Sequence, residues 1–83
     1  MILKGPHIDS TSTLGQALRR TRKHLGLTQP QLALASGVGV RFIVDLEAGK
    51  PTIQLGRALQ VIDALGAELI LTGGAVPDEN QQG

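Results

Sequence analysis

Apolar side chains begin to recur at helical spacing at residue 14. Those that share one helix face are Leu14, Ala17, Leu18 and Leu25. Cations of the same segment lie on the other faces. The hydroxyl-rich residues 10–13 come just before this stripe and suit a helix N-cap, while Gly26 comes just after it. The pattern therefore predicts a first helix that starts at residue 14 and stops at Gly26.

Two short helices and a glycine turn are predicted next. Thr28 and Gln31 have the spacing of a capping box, so a second helix begins there and is interrupted at Gly37. A third helix over residues 40–48 stops at Gly49. Two helices joined by such a turn cross at a steep angle, and the residues predicted to pack in the crossing are Leu32, Ala33, Val38, Ile43 and Leu46. This spacing is typical of a helix-turn-helix motif, with residues 40–48 as its recognition helix.

A fourth helix is predicted from Pro51 to Gly66. Its expected apolar stripe is Leu55, Ala58, Leu59, Ile62 and Leu65. The length of the chain suits one small domain. We expect an N-terminal arm at residues 1–13, the domain at residues 14–72 and a flexible tail at residues 73–83.

Residues 67–72 form a short, mainly apolar run between glycines. A run of this length favours a β-strand over a helix. A single strand leaves its backbone groups unpaired, so it needs a partner, either residues 1–3 of its own chain or the same strand of a second copy. We favour the second copy, paired antiparallel across a two-fold axis. The expected homodimer interface contains Leu69, Ile70 and Leu71.

Composition excludes several classes of function. The chain has no cysteine and one aromatic residue, Phe42, so disulfides and cysteine metal sites are excluded and stacking of bases on aromatic side chains is not expected. No apolar run is long enough to span a membrane and no signal peptide is evident, which favours the cytoplasm. His7 and His24 lack metal-ligand spacing with acidic residues, and no catalytic motif is visible. We therefore predict no enzyme, no cofactor and no metal.

Charge is divided unevenly along the chain. Residues 14–50 contain six Lys or Arg and two Asp or Glu, whereas residues 51–83 contain one Arg and four acidic residues. A basic middle and an acidic end indicate two different interaction surfaces. Ordinary solvated faces would explain the same asymmetry.

Several short motifs recur in a known family. They are Leu25-Gly26-Leu27-Thr28-Gln29, Leu32-Ala33, Gly37-Val38, Ile43 and Leu46-Glu47-Ala48-Gly49-Lys50. On these residues the sequence resembles the Xre/lambda-repressor family of helix-turn-helix proteins. A narrower resemblance, to HipB-like antitoxins, is carried by Arg41-Phe42-Ile43, Gly49-Lys50-Pro51-Thr52 and Leu55-Gly56. The resemblance implies a mainly α, four-helix lambda-repressor-like domain with one C-terminal β-strand that pairs across a dimer.

The resemblance also implies roles for individual residues. Thr28 and Gln29 start the second helix, where the family contacts the DNA backbone and where backbone N–H groups suit a phosphate. The positions that would read the major groove are Gly39, Val40, Arg41 and Val44. Of these, Arg41 alone can bind guanine O6 and N7 bidentately, and Lys50 fits a phosphate contact. Arg22 and Glu47 match a structural ion pair between the first and third helices.

The implied function is a dimeric repressor that binds double-stranded DNA at a palindromic operator and is also the antitoxin of a HipA-like kinase toxin. Two alternatives stay open: a free-standing Xre-type regulator without a toxin, and a protein-interaction module that no longer binds DNA. The second alternative rests on Gly39 and Val40, where the family usually carries polar or basic residues, and on Val44, where HipB-like relatives often carry Ser. It rests also on Asp45, which would repel phosphate.

Overall fold

The computed structural model describes residues 5–73, and their regular structure is four helices. The helices are α1 (Thr11–His24), α2 (Gln29–Ser36), α3 (Val40–Glu47) and α4 (Leu55–Ala64). The sequence predicts the same four in the same order. Within residues 5–73, even the longest helix, the 14-residue α1, is too short and too polar to cross a membrane.

The start of α1 is fixed by a reciprocal pair of hydrogen bonds. Ser10 Oγ accepts the Thr13 N–H at 3.1 Å, and Thr13 Oγ1 accepts the Ser10 N–H at 3.1 Å. This capping box confirms a cap within residues 10–13, although the helix begins at Thr11 rather than at residue 14. The Thr11 hydroxyl donates to the Gly49 carbonyl at 2.8 Å, so the first residue of α1 is bonded to the turn that follows α3.

The second capping box is formed as the sequence predicts. Thr28 Oγ1 accepts the Gln31 N–H at 3.1 Å, and Gln31 Oε1 accepts the Thr28 N–H at 2.8 Å. Helix α2 ends at Ser36 because Gly37 adopts a left-handed conformation, with φ +74°, that turns the chain toward α3. Helix α3 ends at Glu47, one residue before the predicted end.

The core lies between the four helices and is aliphatic. Its buried residues are Leu14, Leu18, Leu32, Ala33, Ile43, Leu46, Ala58, Val61, Ile62 and Leu65. The only aromatic residue, Phe42, is half-buried against this cluster. The residues predicted to pack where α2 crosses α3 all contribute to the core or pack against it, so the helix-turn-helix packing is confirmed.

The predicted stripe of α4 is partly wrong. Leu55 and Leu59 are 61% and 45% exposed, whereas Val61, which the sequence analysis left out, is fully buried. Successive helical residues are about 100° apart, so Leu59 and Val61 lie on opposite flanks of the arc that contains Ala58 and Ile62. The other helices cover the flank that carries Val61. Helix α4 also begins at Leu55 rather than at Pro51.

The predicted strand is not formed within residues 5–73. Residues 67–72 lie in irregular structure, and the exposed fractions of Leu69, Ile70 and Leu71 are 47%, 59% and 95%. A strand needs a neighbour to pair with, and no second strand is present in the part of the chain that the structure describes. The alternative partner, residues 1–3, and residues 74–83 of the predicted tail lie outside the described residues.

Candidate nucleic-acid interface

Helices α2 and α3 form a two-helix unit around the turn at residues 37–39. Leu32 and Ile43 are fully buried between the helices, and the Val38 N–H donates to the Ala33 carbonyl at 3.1 Å. Small Ala33 is also buried, as a close crossing requires. Because its inner face is packed in the core, α3 is held in a fixed orientation with its other face toward solvent.

The outward face of α3 carries most of the residues predicted to read DNA. Arg41 extends into solvent with its side chain 83% exposed, Val40 is exposed, and Val44 is half-buried. Gly39 is the exposed N-cap of α3 and supplies no side chain. The structure thus brings together an apolar patch and one guanidinium at the N-terminal half of α3.

Asp45 forms ion pairs with two of the residues that are predicted to contact DNA. Its Oδ1 lies 3.2 Å from Arg41 Nη2, and its Oδ2 lies 3.6 Å from Lys50 Nζ. The Asp45 carbonyl also accepts the Lys50 N–H at 3.0 Å. The carboxylate therefore lies between the two cations at one edge of α3.

Arg22 and Glu47 form the ion pair that the resemblance implied. Arg22 Nε donates to Glu47 Oε2 at 2.6 Å and Nη2 donates to Oε1 at 2.9 Å, while Nη1 donates to the Leu27 carbonyl at 2.8 Å. The side chains are only 8% and 4% exposed. The hydrogen bond to Glu47 raises the pKa of Arg22 against the opposing effect of burial, so the guanidinium stays charged inside the domain.

Gln29 is bonded to the same carboxylate. Its Nε2 donates to Glu47 Oε1 at 3.1 Å, and the residue is half-buried. Glu47 therefore ties the start of α2 to α1 and α3. The side-chain amide of Gln29 lies within this network rather than extended into solvent.

The N-terminus of α2 offers fewer N–H groups to a phosphate than the sequence indicates. The N–H groups of Thr28 and Gln31 bond each other's side chains in the capping box, and Pro30 has none. Over residues 28–31, the Gln29 N–H is left as the donor for an incoming phosphate.

Gly15 is a structural residue that the sequence analysis missed. A Cβ at this position of α1 would lie 2.7 Å from the Glu47 carbonyl oxygen and even closer to that of Leu46. The glycine therefore lets α1 approach the end of α3, which brings Arg22 within reach of Glu47. A lone glycine inside an amphipathic helix was the available signal.

The residues predicted for dimerisation lie outside α2 and α3, in the irregular segment that follows α4. Residues 69–71 line a groove together with Ile8, Leu14, Leu18 and Ile62. This groove, bounded among the described residues by the arm, α1 and α4, has no wall from α2 or α3. The groove and the outward face of α3 are therefore two separate surfaces of the domain.

Comparison with known proteins gives matches in sequence and in fold. The chain is 50% identical over 62 residues to the uncharacterized HTH-type transcriptional regulator y4mF of Sinorhizobium fredii. The aligned region covers 75% of this chain and 82% of that protein. Among solved structures, HipB in a HipB-O4 20mer complex superposes with a TM-score of 0.77 over 83% of this chain and 97% of that one, at 23% identity. A chain of a HipA-HipB-O2-O3 complex matches with the same TM-score, identity and coverage.

The structural matches show that the four described helices have a HipB-like fold. The family model described as helix-turn-helix matches residues 18–70, which span α2, the turn, α3 and α4. That match covers more than half of the chain, and the sequence relative agrees with it. On this evidence the chain belongs to the helix-turn-helix family.

Proposed function

We propose that the protein is a sequence-specific DNA-binding transcriptional repressor that inserts α3 into the major groove. The observation that carries the proposal is the exposed guanidinium of Arg41 on a helix whose opposite face is fixed in the core. A reader of base edges must be both exposed and held in place, and Arg41 meets both conditions. The sequence relative named as a transcriptional regulator supports the same function.

Within this proposal, direct base readout comes from a few residues. Arg41 donates bidentately to guanine O6 and N7, while Val40 and Val44 contact thymine methyl groups. Gly39 lets the backbone approach the groove closely because it has no Cβ. Phosphate contacts come from Lys50, from the Gln29 side chain and, at the N-terminus of α2, from the Gln29 N–H and the Thr28 hydroxyl, and they set the register of the domain on the duplex. The Gln29 amide nitrogen has two N–H donors, so one can contact DNA while the other stays bonded to Glu47 Oε1.

The proposed active form is a homodimer on a palindromic operator. Residues 67–72 of two copies pair as an antiparallel ribbon, which gives each strand the neighbour it lacks in the described monomer. The exposure of Leu69, Ile70 and Leu71 supports this pairing, because a dimer would remove apolar surface from water. Two-fold symmetry of the protein would then match two-fold symmetry of the operator.

The proposed biological role is that of an antitoxin that binds a HipA-like kinase and represses its own operon. The HipB fold, found in a HipA-HipB-O2-O3 complex, supports this role. The sequence relative is named only as a regulator, which favours a free-standing regulator as the second candidate. The ion pairs that occupy Arg41 and Lys50 favour the interaction module as a third.

Selection of DNA from a randomised pool tests the core of the proposal. The wild-type protein is expected to enrich one palindromic sequence, and log K for that duplex is expected to fall linearly with log salt as phosphates are neutralised. Failure to enrich any sequence, with no salt-dependent binding to DNA, would favour the interaction module.

The antitoxin role needs a separate experiment. If the adjacent gene encodes a HipA-like kinase, co-expression is expected to yield a complex that survives size-exclusion chromatography. Elution of the two proteins apart would leave the free-standing regulator as the better description.

A further inference from the structure

Asp45 occupies an unusual place for an acidic residue on a surface proposed to meet DNA. It lies one helical turn after Arg41, and its two carboxylate oxygens face different cations, Arg41 at 3.2 Å and Lys50 at 3.6 Å. Within residues 5–73, neither cation makes another ion pair. The carboxylate is also only 20% exposed, so its position is more restricted than that of the 83% exposed arginine.

Stability does not explain this arrangement. Exposed ion pairs one turn apart on a helix contribute little to folding. A negative charge on α3 also opposes the approach of a phosphate backbone. Asp45 thus weakens electrostatic attraction to DNA at the edge of α3 where Arg41 and Lys50 would provide it.

The geometry leaves Arg41 able to read a base. A guanidinium has five N–H donors, and the approach of Arg41 to Asp45 is made through Nη2, 3.2 Å from Oδ1. The remaining donors suffice for a bidentate contact with guanine. The pair also restricts the flexible arginine side chain, so less conformational freedom is lost on binding.

We propose that Asp45 is a positioning residue for sequence specificity: it holds Arg41 for guanine and keeps Arg41 from binding phosphates of unrelated DNA. The proposal rests on the proposed function, since it concerns how α3 discriminates between sequences. On a duplex without the matching guanine, Arg41 stays paired with the carboxylate. On the matching duplex, the guanine contact forms while Nη2 stays near Asp45.

The test compares two 20-base-pair duplexes, one enriched by the wild-type protein from a randomised pool and one of the same composition in scrambled order. Asp45→Asn keeps the size of the side chain and removes its charge. We expect tighter binding to scrambled DNA and a fall of about tenfold in the ratio of the two affinities, within the range that one bidentate contact discriminates. The slope of log K against log salt on scrambled DNA is expected to steepen by about 0.9 for each Arg41 that is freed to contact a phosphate.

Matched variants separate positioning from a change in net charge. Asp63→Asn makes the same substitution at an exposed position of α4 and is expected to change both affinities by the same factor. In an Arg41→Ala background, Asp45→Asn is expected to leave the affinity ratio unchanged, because the side chain that it positions is absent. Asp45→Ala provides an independent measurement with a strong helix former at the same position.

Two results would overturn the inference. One is an affinity ratio in Asp45→Asn and Asp45→Ala equal to that of Asp63→Asn, and the other is a loss of specificity that persists in the Arg41→Ala background. Either result, obtained with a wild-type protein that enriches a duplex, contradicts the role proposed for Asp45 but not the proposed function of the protein. A wild-type protein that enriches none and binds DNA without salt dependence contradicts the proposed function, and this inference with it.

Discussion

Arg22 and Glu47 join the first helix to the end of the third through two parallel hydrogen bonds of 2.6 and 2.9 Å in the domain interior. The remaining nitrogen of the guanidinium donates to the Leu27 carbonyl, and no buried side-chain polar atom among the described residues is left without a partner. A buried pair in which every nitrogen and oxygen has a hydrogen-bond partner fixes orientation. The direction in which α3 presents Arg41 therefore depends on a contact made by residues that do not read DNA.

Glu47→Ala tests this dependence. The substitution leaves the Arg22 charge buried and unpaired, which costs about 3–5 kcal/mol and lowers Tm by at least about 10 °C in a domain of this size. Thermal unfolding followed by circular dichroism provides the measurement. Asp45→Ala is the control, because the two cations that pair with Asp45 are exposed, and it is expected to change stability by less than about 1 kcal/mol. A Tm unchanged by Glu47→Ala, accompanied by lost DNA binding, would make Glu47 part of the interface.

Gly15→Ala is expected to destabilise the domain. The added methyl group meets the carbonyl oxygens of Leu46 and Glu47, so α1 must move away from α3 at a cost of about 1–3 kcal/mol. Gly56→Ala is the matched control, since nothing lies within 4 Å of its Cβ and α4 continues through it. That control is expected to stabilise the protein by about 0.4–1 kcal/mol. Urea unfolding of both variants checks the opposite signs, and equal effects would refute the close approach at Gly15.

The double substitution Leu69→Asp and Ile70→Asp is expected to give monomers. Carboxylates would have to be buried at the proposed strand pairing, which opposes association. Light scattering at micromolar concentration measures the mass. Leu34→Asp, at an exposed position of α2, is the control and is expected to leave the oligomeric state unchanged. A double variant with the mass of the wild-type dimer would place the interface elsewhere.

The helices and their caps could be predicted because their signals are local. Thr28, Gln31 and Gly37 act through hydrogen bonds and dihedral angles that involve neighbours within a few residues. Local signals could not predict that Val61, rather than Leu59, is buried in the core. Both residues fit a helical stripe, and the packing of α4 against α2 decides which flank is covered.

In the candidate site, too, features set by local sequence could be predicted, and contacts that depend on the fold could not. The spacing that places Arg41 on the outward face of α3 is visible in the sequence, and the Arg22–Glu47 pair follows from the family resemblance. Lys50 reaches Asp45 because the chain turns at Gly49, and this contact depends on the fold. The pairing of residues 67–72 could not be predicted for another physical reason. A β-strand needs a neighbouring strand, and the sequence does not specify which segment or which copy provides it.

Lys50→Ala is expected to weaken binding to all DNA sequences alike. A phosphate contact carries no direct sequence information, so the affinities for selected and scrambled duplexes should fall by the same factor. The slope of log K against log salt should become shallower by about 0.9 for each lysine contact removed. Anisotropy titrations at several salt concentrations measure both quantities. A loss confined to the selected duplex would instead assign Lys50 to base readout.

The most direct measurement of the central claim is a titration of Arg41→Ala against the selected and scrambled duplexes at one salt concentration. Loss of a bidentate guanine contact is expected to weaken binding to the selected duplex by about 1–3 kcal/mol per half-site, or roughly 5- to 150-fold. Binding to scrambled DNA should change far less, and the preference at one base pair should relax. If Arg41→Ala lowers both affinities by the same factor, Arg41 contacts phosphate, α3 has no strong base reader, and sequence-specific readout by Arg41 is contradicted.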